Sequence, residues 1–83
     1  MNTTENALLR KPTVLAMVGF GTTTLYDRIK AGLFMHPIRI GARLSAWRAS
    51  EVKAVNDAIA AGKSDDEIRA IVKELEEARK ALH

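Results

Sequence analysis

The chain contains no cysteine, which excludes a disulfide framework and a thiolate metal site. No stretch approaches the roughly 20 consecutive apolar residues of a membrane span. The opening Met-Asn-Thr-Thr-Glu-Asn has neither the basic start nor the apolar run of a signal peptide, so a cytoplasmic location is expected. No nucleophile stands at a base's spacing, no metal-ligand cluster is visible and no glycine-rich phosphate loop occurs. An enzyme is therefore not expected, nor is a cofactor or a metal. What remains is a chain of 83 residues, 47% of them apolar. That is enough for one small domain with a thin core and at most one further element.

The formal net charge of +3 is unevenly placed. Residues 1–62 hold eight Lys and Arg against four Asp and Glu, whereas residues 63–83 hold five against six. A basic face is the electrostatic footprint of a phosphate-binding surface. Many small soluble proteins reach such a charge without binding nucleic acid, so charge by itself does not assign the function.

The most informative stretch is Thr22–Gly32, Thr-Thr-Thr-Leu-Tyr-Asp-Arg-Ile-Lys-Ala-Gly. Thr22 or Thr23 can cap the free N–H groups of a first helical turn. Gly32 can take the left-handed position that ends the helix. Leu25 and Ile29, four apart, share the buried face. Thr23, Thr24, Asp27, Arg28 and Lys30 are left as a polar, net-basic surface. A first helix precedes it, starting at Pro12, with Val14, Leu15 and Val18 as its apolar stripe. Gly19 ends that helix and Phe20 plugs the turn from inside. Two short helices joined by a tight glycine turn form a helix-turn-helix, whose second helix can enter a DNA major groove.

Before these helices, Leu8 and Leu9 are expected to pack on the core as an entry strand or turn. Arg10 and Lys11 are as readable as solvated charges as they are as phosphate contacts. After them, Pro37-Ile38-Arg39-Ile40 and Ser45-Ala46-Trp47-Arg48 read as the strands of a hairpin. A four-residue loop would pair Ile38 with Trp47 and Ile40 with Ser45, turning Ile38, Ile40 and Trp47 inward and Arg39 outward. Arg43 then stands at the tip, and a hairpin with outward arginines is a wing that reaches phosphate or the minor groove. Arg48 is placed to pair with Glu51, and His36, with no second ligand near it, reads as structural. A third helix is expected from about Ser50 to Ala61, with Val52, Val55 and Ile59 inward and Gly62 as its stop.

Residues 8–62, on Leu9-Arg10-Lys11, Val18-Gly19-Phe20, Thr23-Thr24-Leu25-Tyr26, Ile29-Lys30-Ala31-Gly32, Phe34, Pro37-Ile38-Arg39-Ile40-Gly41, Arg43, Trp47-Arg48 and Glu51-Val52, resemble the AlpA family. These are phage-type regulators with a MerR-like winged helix-turn-helix, related to excisionases. Met35 replaces a frequent proline of that family and Val55 a frequent tryptophan, departures that bear on core packing. The resemblance implies a mainly α fold with a small β-hairpin wing. It also implies a double-stranded DNA-binding transcriptional regulator of a phage or mobile element. The alternative is an excisionase, a directionality factor that bends attachment-site DNA beside a site-specific recombinase. Family contacts carry over to Thr22, Thr23, Thr24, Tyr26, Arg28 and Arg43. By side-chain chemistry the threonines and Arg28 would read bases, while Lys30, Arg39 and Arg43 would hold phosphates, with Ser45 beside them on the wing. Tyr26 fits either the DNA backbone or the scaffold.

Residues 1–7 read as an arm and residues 63–83 as a further helix opened by the capping box Ser64-Asp65-Asp66-Glu67. Asp65/Arg69 and Glu76/Lys80 are i,i+4 pairs worth about 0.2–0.5 kcal/mol each. Ile68, Ile71, Val72, Leu75 and Leu82 form one stripe, which either folds back on the domain or joins a second chain as a short coiled coil. The MerR-like resemblance tips that balance toward a homodimer. A weaker reading of another class makes this helix the working surface of a protein-interaction module.

Overall fold

A computed structural model describes residues 7–82. Its elements are β1 (Leu8–Leu9), α1 (Lys11–Val18), α2 (Thr22–Lys30), β2 (Ile38–Arg39), β3 (Ser45–Arg48), α3 (Ala49–Ala60) and α4 (Asp65–Ala78), followed by a 3-10 turn at Arg79–Ala81. The fold is mainly helical, with one small antiparallel sheet in the order β1-β3-β2, an arrangement compatible with a winged helix-turn-helix. Among the described residues no helix is long and apolar enough to cross a membrane.

Glycines punctuate the helices where a left-handed residue is needed. Gly32 has φ +79°, and its N–H donates to Ile29 O while that of Leu33 donates to Arg28 O. Gly62 ends α3 in the same way, with Lys63 N–H donating to Ala58 O. These paired bonds satisfy carbonyls that the last helical turn leaves open. The start of α2 differs from expectation. Its cap position falls on Gly21, in extended conformation, and no side chain caps the turn. Thr22 is already helical, so neither it nor Thr23 stands where a capping hydroxyl must stand. Glycine in that position costs only a few tenths of a kcal/mol relative to a side-chain cap.

The core is built from Val14, Leu25, Phe34, Met35, Trp47, Val52 and Val55, all fully buried. Phe20 is half-buried and meets Phe34 edge-to-face at 6.4 Å, and Phe34 meets Trp47 at 6.4 Å. The Trp47 indole N–H donates to Met35 O at 2.9 Å, which gives the buried ring a fixed orientation. The third inward position of α3 is taken by Ala58; Ile59, expected there, is 40% exposed.

The hairpin register departs from the expected one by a single residue. Ile38 pairs with Ala46 and Arg39 with Ser45, and Ile40 N–H donates to Leu44 O across a three-residue loop, Gly41-Ala42-Arg43. A one-residue slip reverses which face each side chain takes. Arg39 therefore shares a face with Ser45 and Trp47, while Ile40 is largely exposed. The expectation rested on a two-stranded ribbon with one apolar face. Strand β3 instead lies between β1 and β2, and both Ala46 and Trp47 are buried, so alternation no longer fixes the register.

Helix α4 carries the expected capping box: the Ser64 hydroxyl accepts from Glu67 N–H at 3.2 Å and Glu67 Oε1 accepts from Ser64 N–H at 2.9 Å. These bonds from Ser64, backbone first and then hydroxyl, hold the Glu67 carboxyl below its usual range. Ile68 and Val72 are buried in the core already described, and Ile71 and Leu75 pack against it. Of the two uses left open for the stripe, these contacts are the one within the chain, and of its members Leu82, at 59% exposure, lies most open.

Polar contacts fasten the same helix. Arg69 Nε donates to Ala31 O, at the end of α2, at 2.8 Å. His36 donates its backbone N–H to Glu76 Oε2 at 2.7 Å, and its Nδ1 lies 2.9 Å from the same oxygen. Arg79 grips Glu51, with Nη2 2.6 Å from Oε1 and Nε 3.1 Å from both oxygens. Two local pairings expected from sequence give way to other contacts. Glu76 meets His36, where Lys80 was expected. Arg69 pairs with Asp66 at i,i+3 in place of Asp65 at i,i+4.

Candidate nucleic-acid interface

Helix α2 buries Leu25 and Ile29 and leaves the rest of its circumference outward. At 100° per residue, Thr22, Tyr26 and Lys30 line one edge, Thr23 and Asp27 the outer ridge, and Thr24 and Arg28 the other edge. Every one of these is exposed except Arg28, which is half-buried. Its guanidinium carbon lies 5.6 Å from the centre of the Phe20 ring, and its Nε is buried with no hydrogen-bond partner among the described residues. Arg28 is therefore partly scaffold, fixed against the turn between the two helices.

On the opposite edge of α2 lies a cleft of about 270 Å³ lined by Arg10, Lys11, Pro12, Tyr26, Arg43, Ser45 and Trp47. Three elements converge there. Strand β1 pairs Leu9 with Trp47, which sets Arg10 and Lys11, at the start of α1, beside β3. Tyr26 comes from α2 and is 45% exposed. Arg43, Ser45 and Trp47 come from alternate positions along the hairpin, and Trp47, only 1% exposed, gives the cleft a rigid floor. Lys11 Nζ lies 3.5 Å from the Tyr26 hydroxyl and 5.4 Å from the centre of its ring. No carboxylate lines the cleft.

Of the residues expected at the site, Tyr26, Arg43 and Ser45 are brought together in this cleft. Thr22, Thr23, Thr24 and Lys30 stand on the exposed surface of the adjoining helix. Arg39 is exposed but turns back on its own loop, with Nη2 donating to Ala42 O at 3.3 Å. Arg10 and Lys11, which sequence left open between phosphate contact and solvated charge, line the cleft. Asp27, unassigned by sequence beyond its polarity, occupies the outer ridge of α2.

A pair of short helices joined by three residues, followed by a hairpin whose cations flank the second helix, is compatible with a winged helix-turn-helix. Residues 7–54 match the family described as prophage CP4-57 regulatory protein (AlpA). The match covers more than half of the chain, and the protein belongs to that family of phage regulatory proteins. It is also similar to the uncharacterized protein ORF88 of Enterobacteria phage P4, with 35% identity over 51 residues, which are 61% of this chain and 58% of that protein. No solved structure matches the chain.

Proposed function

We propose that this chain is a sequence-specific double-stranded DNA-binding transcriptional regulator of a phage or mobile element. Helix α2 enters the major groove, and the wing over residues 37–48 holds the backbone or the minor groove. One observation carries this reading. The exposed polar surface of α2 adjoins a cleft that gathers Arg10, Lys11 and Arg43 without a carboxylate. In the major groove, threonine hydroxyls and Asp27 can meet base edges, the carboxylate as an acceptor for a cytosine amino group. Cations beside the groove fix register on the phosphates. Membership of a phage regulatory family supports the same reading.

The test is a binding titration at several salt concentrations on three duplexes: the region upstream of the protein's own gene, the flanking attachment region and a scrambled control. Tight binding to a natural fragment that weakens steeply with salt is the expected result. Preference for the attachment region, with stepwise complexes, would reassign the protein to the excisionase role. Equal weak binding to all three would remove sequence specificity and point to α4 as the working surface.

A further inference from the structure

We propose that the cleft between the start of α1 and the hairpin seats a single DNA backbone phosphate, held by Arg10 and Lys11 at the start of α1 together with Tyr26, Arg43 and Ser45. This rests on the DNA-binding reading and adds to it a position on the duplex that the start of α1 contacts together with α2 and the hairpin. The chemistry of the lining selects the ligand. Three cations and two hydroxyls converge from three elements on one cleft with no acid among them, a donor set suited to a phosphodiester. None of the three cations has a carboxylate partner among the described residues.

The start of α1 points the same way. Its cap position is Arg10, no side chain accepts from the first turn, and that turn holds no acid. The positive end of a helix dipole favours an anion, yet here it carries Arg10 and Lys11. Helix α4 shows the ordinary solution, a serine cap with Asp65, Asp66 and Glu67 in its first turn. In α1 the charge is left for a group from outside. Pro12 removes one amide donor from this turn, so the side chains carry most of the contact. The fixed indole of Trp47 beneath them keeps the seat at one place relative to α2, which is how a phosphate contact sets the register of a reading helix.

Neutralising the contact should weaken binding to natural and scrambled duplexes by the same factor, since a phosphate carries no sequence. The variant Arg10→Gln/Lys11→Gln should lower the slope of log K against log salt by about 0.9, one phosphate's worth. That amounts to about threefold less weakening between 50 and 200 mM salt. A methylphosphonate placed at successive positions of one strand should cost the parent protein affinity at one position, and the double variant should be indifferent to that position. Urea unfolding of the variant, and of Arg10→Gln alone, checks that the fold is kept. An unchanged slope would overturn the proposal, as would a drop near twice that size or a loss confined to the natural fragment. If the parent bound no duplex at all, the DNA-binding reading would fall first and the seat with it.

Discussion

Two surfaces of this molecule treat charge in opposite ways. Where α4 meets the rest of the chain, charged groups are engaged: Arg79 with Glu51, Arg69 with Asp66 and Ala31 O, Glu76 with His36. Around α2 and the hairpin, Arg10, Lys11, Lys30 and Arg43 have no carboxylate partner among the described residues. The first arrangement joins segments 28 to 40 residues apart into one body. The second leaves positive charge available to an outside anion. The family match ends at residue 54, within α3, so the helix that completes the core lies outside the part that assigns the family. The cation-lined surface and the tail are thus separate in sequence but joined in stability.

The strongest way to break that comparison is to remove the tail. A chain ending at Gly62 loses Ile68 and Val72 from the core and uncovers the residues they pack on. It should show no cooperative unfolding transition by circular dichroism. A truncated chain that melted as sharply as the parent would make α4 an accessory. Next in size is Arg79→Ala. Glu51 is 3% exposed, and Arg79 supplies its fork of hydrogen bonds. A buried carboxylate left without its partner should cost about 3 kcal/mol in urea unfolding. DNA affinity, measured where the variant is still folded, should remain that of the parent.

The local elements of the fold were legible because they depend on neighbouring residues. Gly19, Gly32 and Gly62 at positive φ mark helix ends, and Ser64 with Glu67 marks a helix start. The hairpin strands could be recognised but not their register, because Ala46 and Trp47 are both buried and alternation loses its meaning in a covered middle strand. The long-range bonds of the tail left no trace, since a pair such as Glu51 and Arg79 has no spacing rule. For the candidate site, Tyr26 and Arg43 could be named from the helix and the wing. Arg10 and Lys11 could be placed only once Leu9 was seen to pair with Trp47.

Two arginines of the proposed DNA surface sharpen the contrast by differing from each other. Arg43 is exposed and lines the cleft, so Arg43→Ala should weaken DNA binding several-fold while unfolding stays within about 0.5 kcal/mol of the parent. Arg28 is half-buried over Phe20, so its removal should show in both measurements. Arg28→Ala should lower stability by about 0.5–1 kcal/mol through the lost ring contact. If the guanidinium also reads a base, discrimination at one base pair should fall by about 1–3 kcal/mol, measured on a set of single-substitution duplexes.

The smallest effect concerns pH and belongs to the tail. Burial pushes the Glu76 carboxyl upward, but the backbone N–H and ring of His36, with Arg79 nearby, outweigh it and hold the group below its ordinary value of 4.5. A carboxyl with a lowered folded-state pKa binds fewer protons when native than when unfolded, so stability rises with pH wherever the two states differ. The contribution of Glu76 is therefore complete above its ordinary range and is lost as pH falls from about 4.5 through the lower folded value. Glu67, also lowered through its bonds to Ser64, adds a loss of the same sign. Urea midpoints measured between pH 6 and 3 should thus decline less steeply for Glu76→Gln than for the parent. The two curves should differ most at the neutral end and converge in acid. Parallel curves would mean that the contact between Glu76 and His36 does not hold α4 in solution, leaving the helix to its apolar stripe and the Arg79 fork.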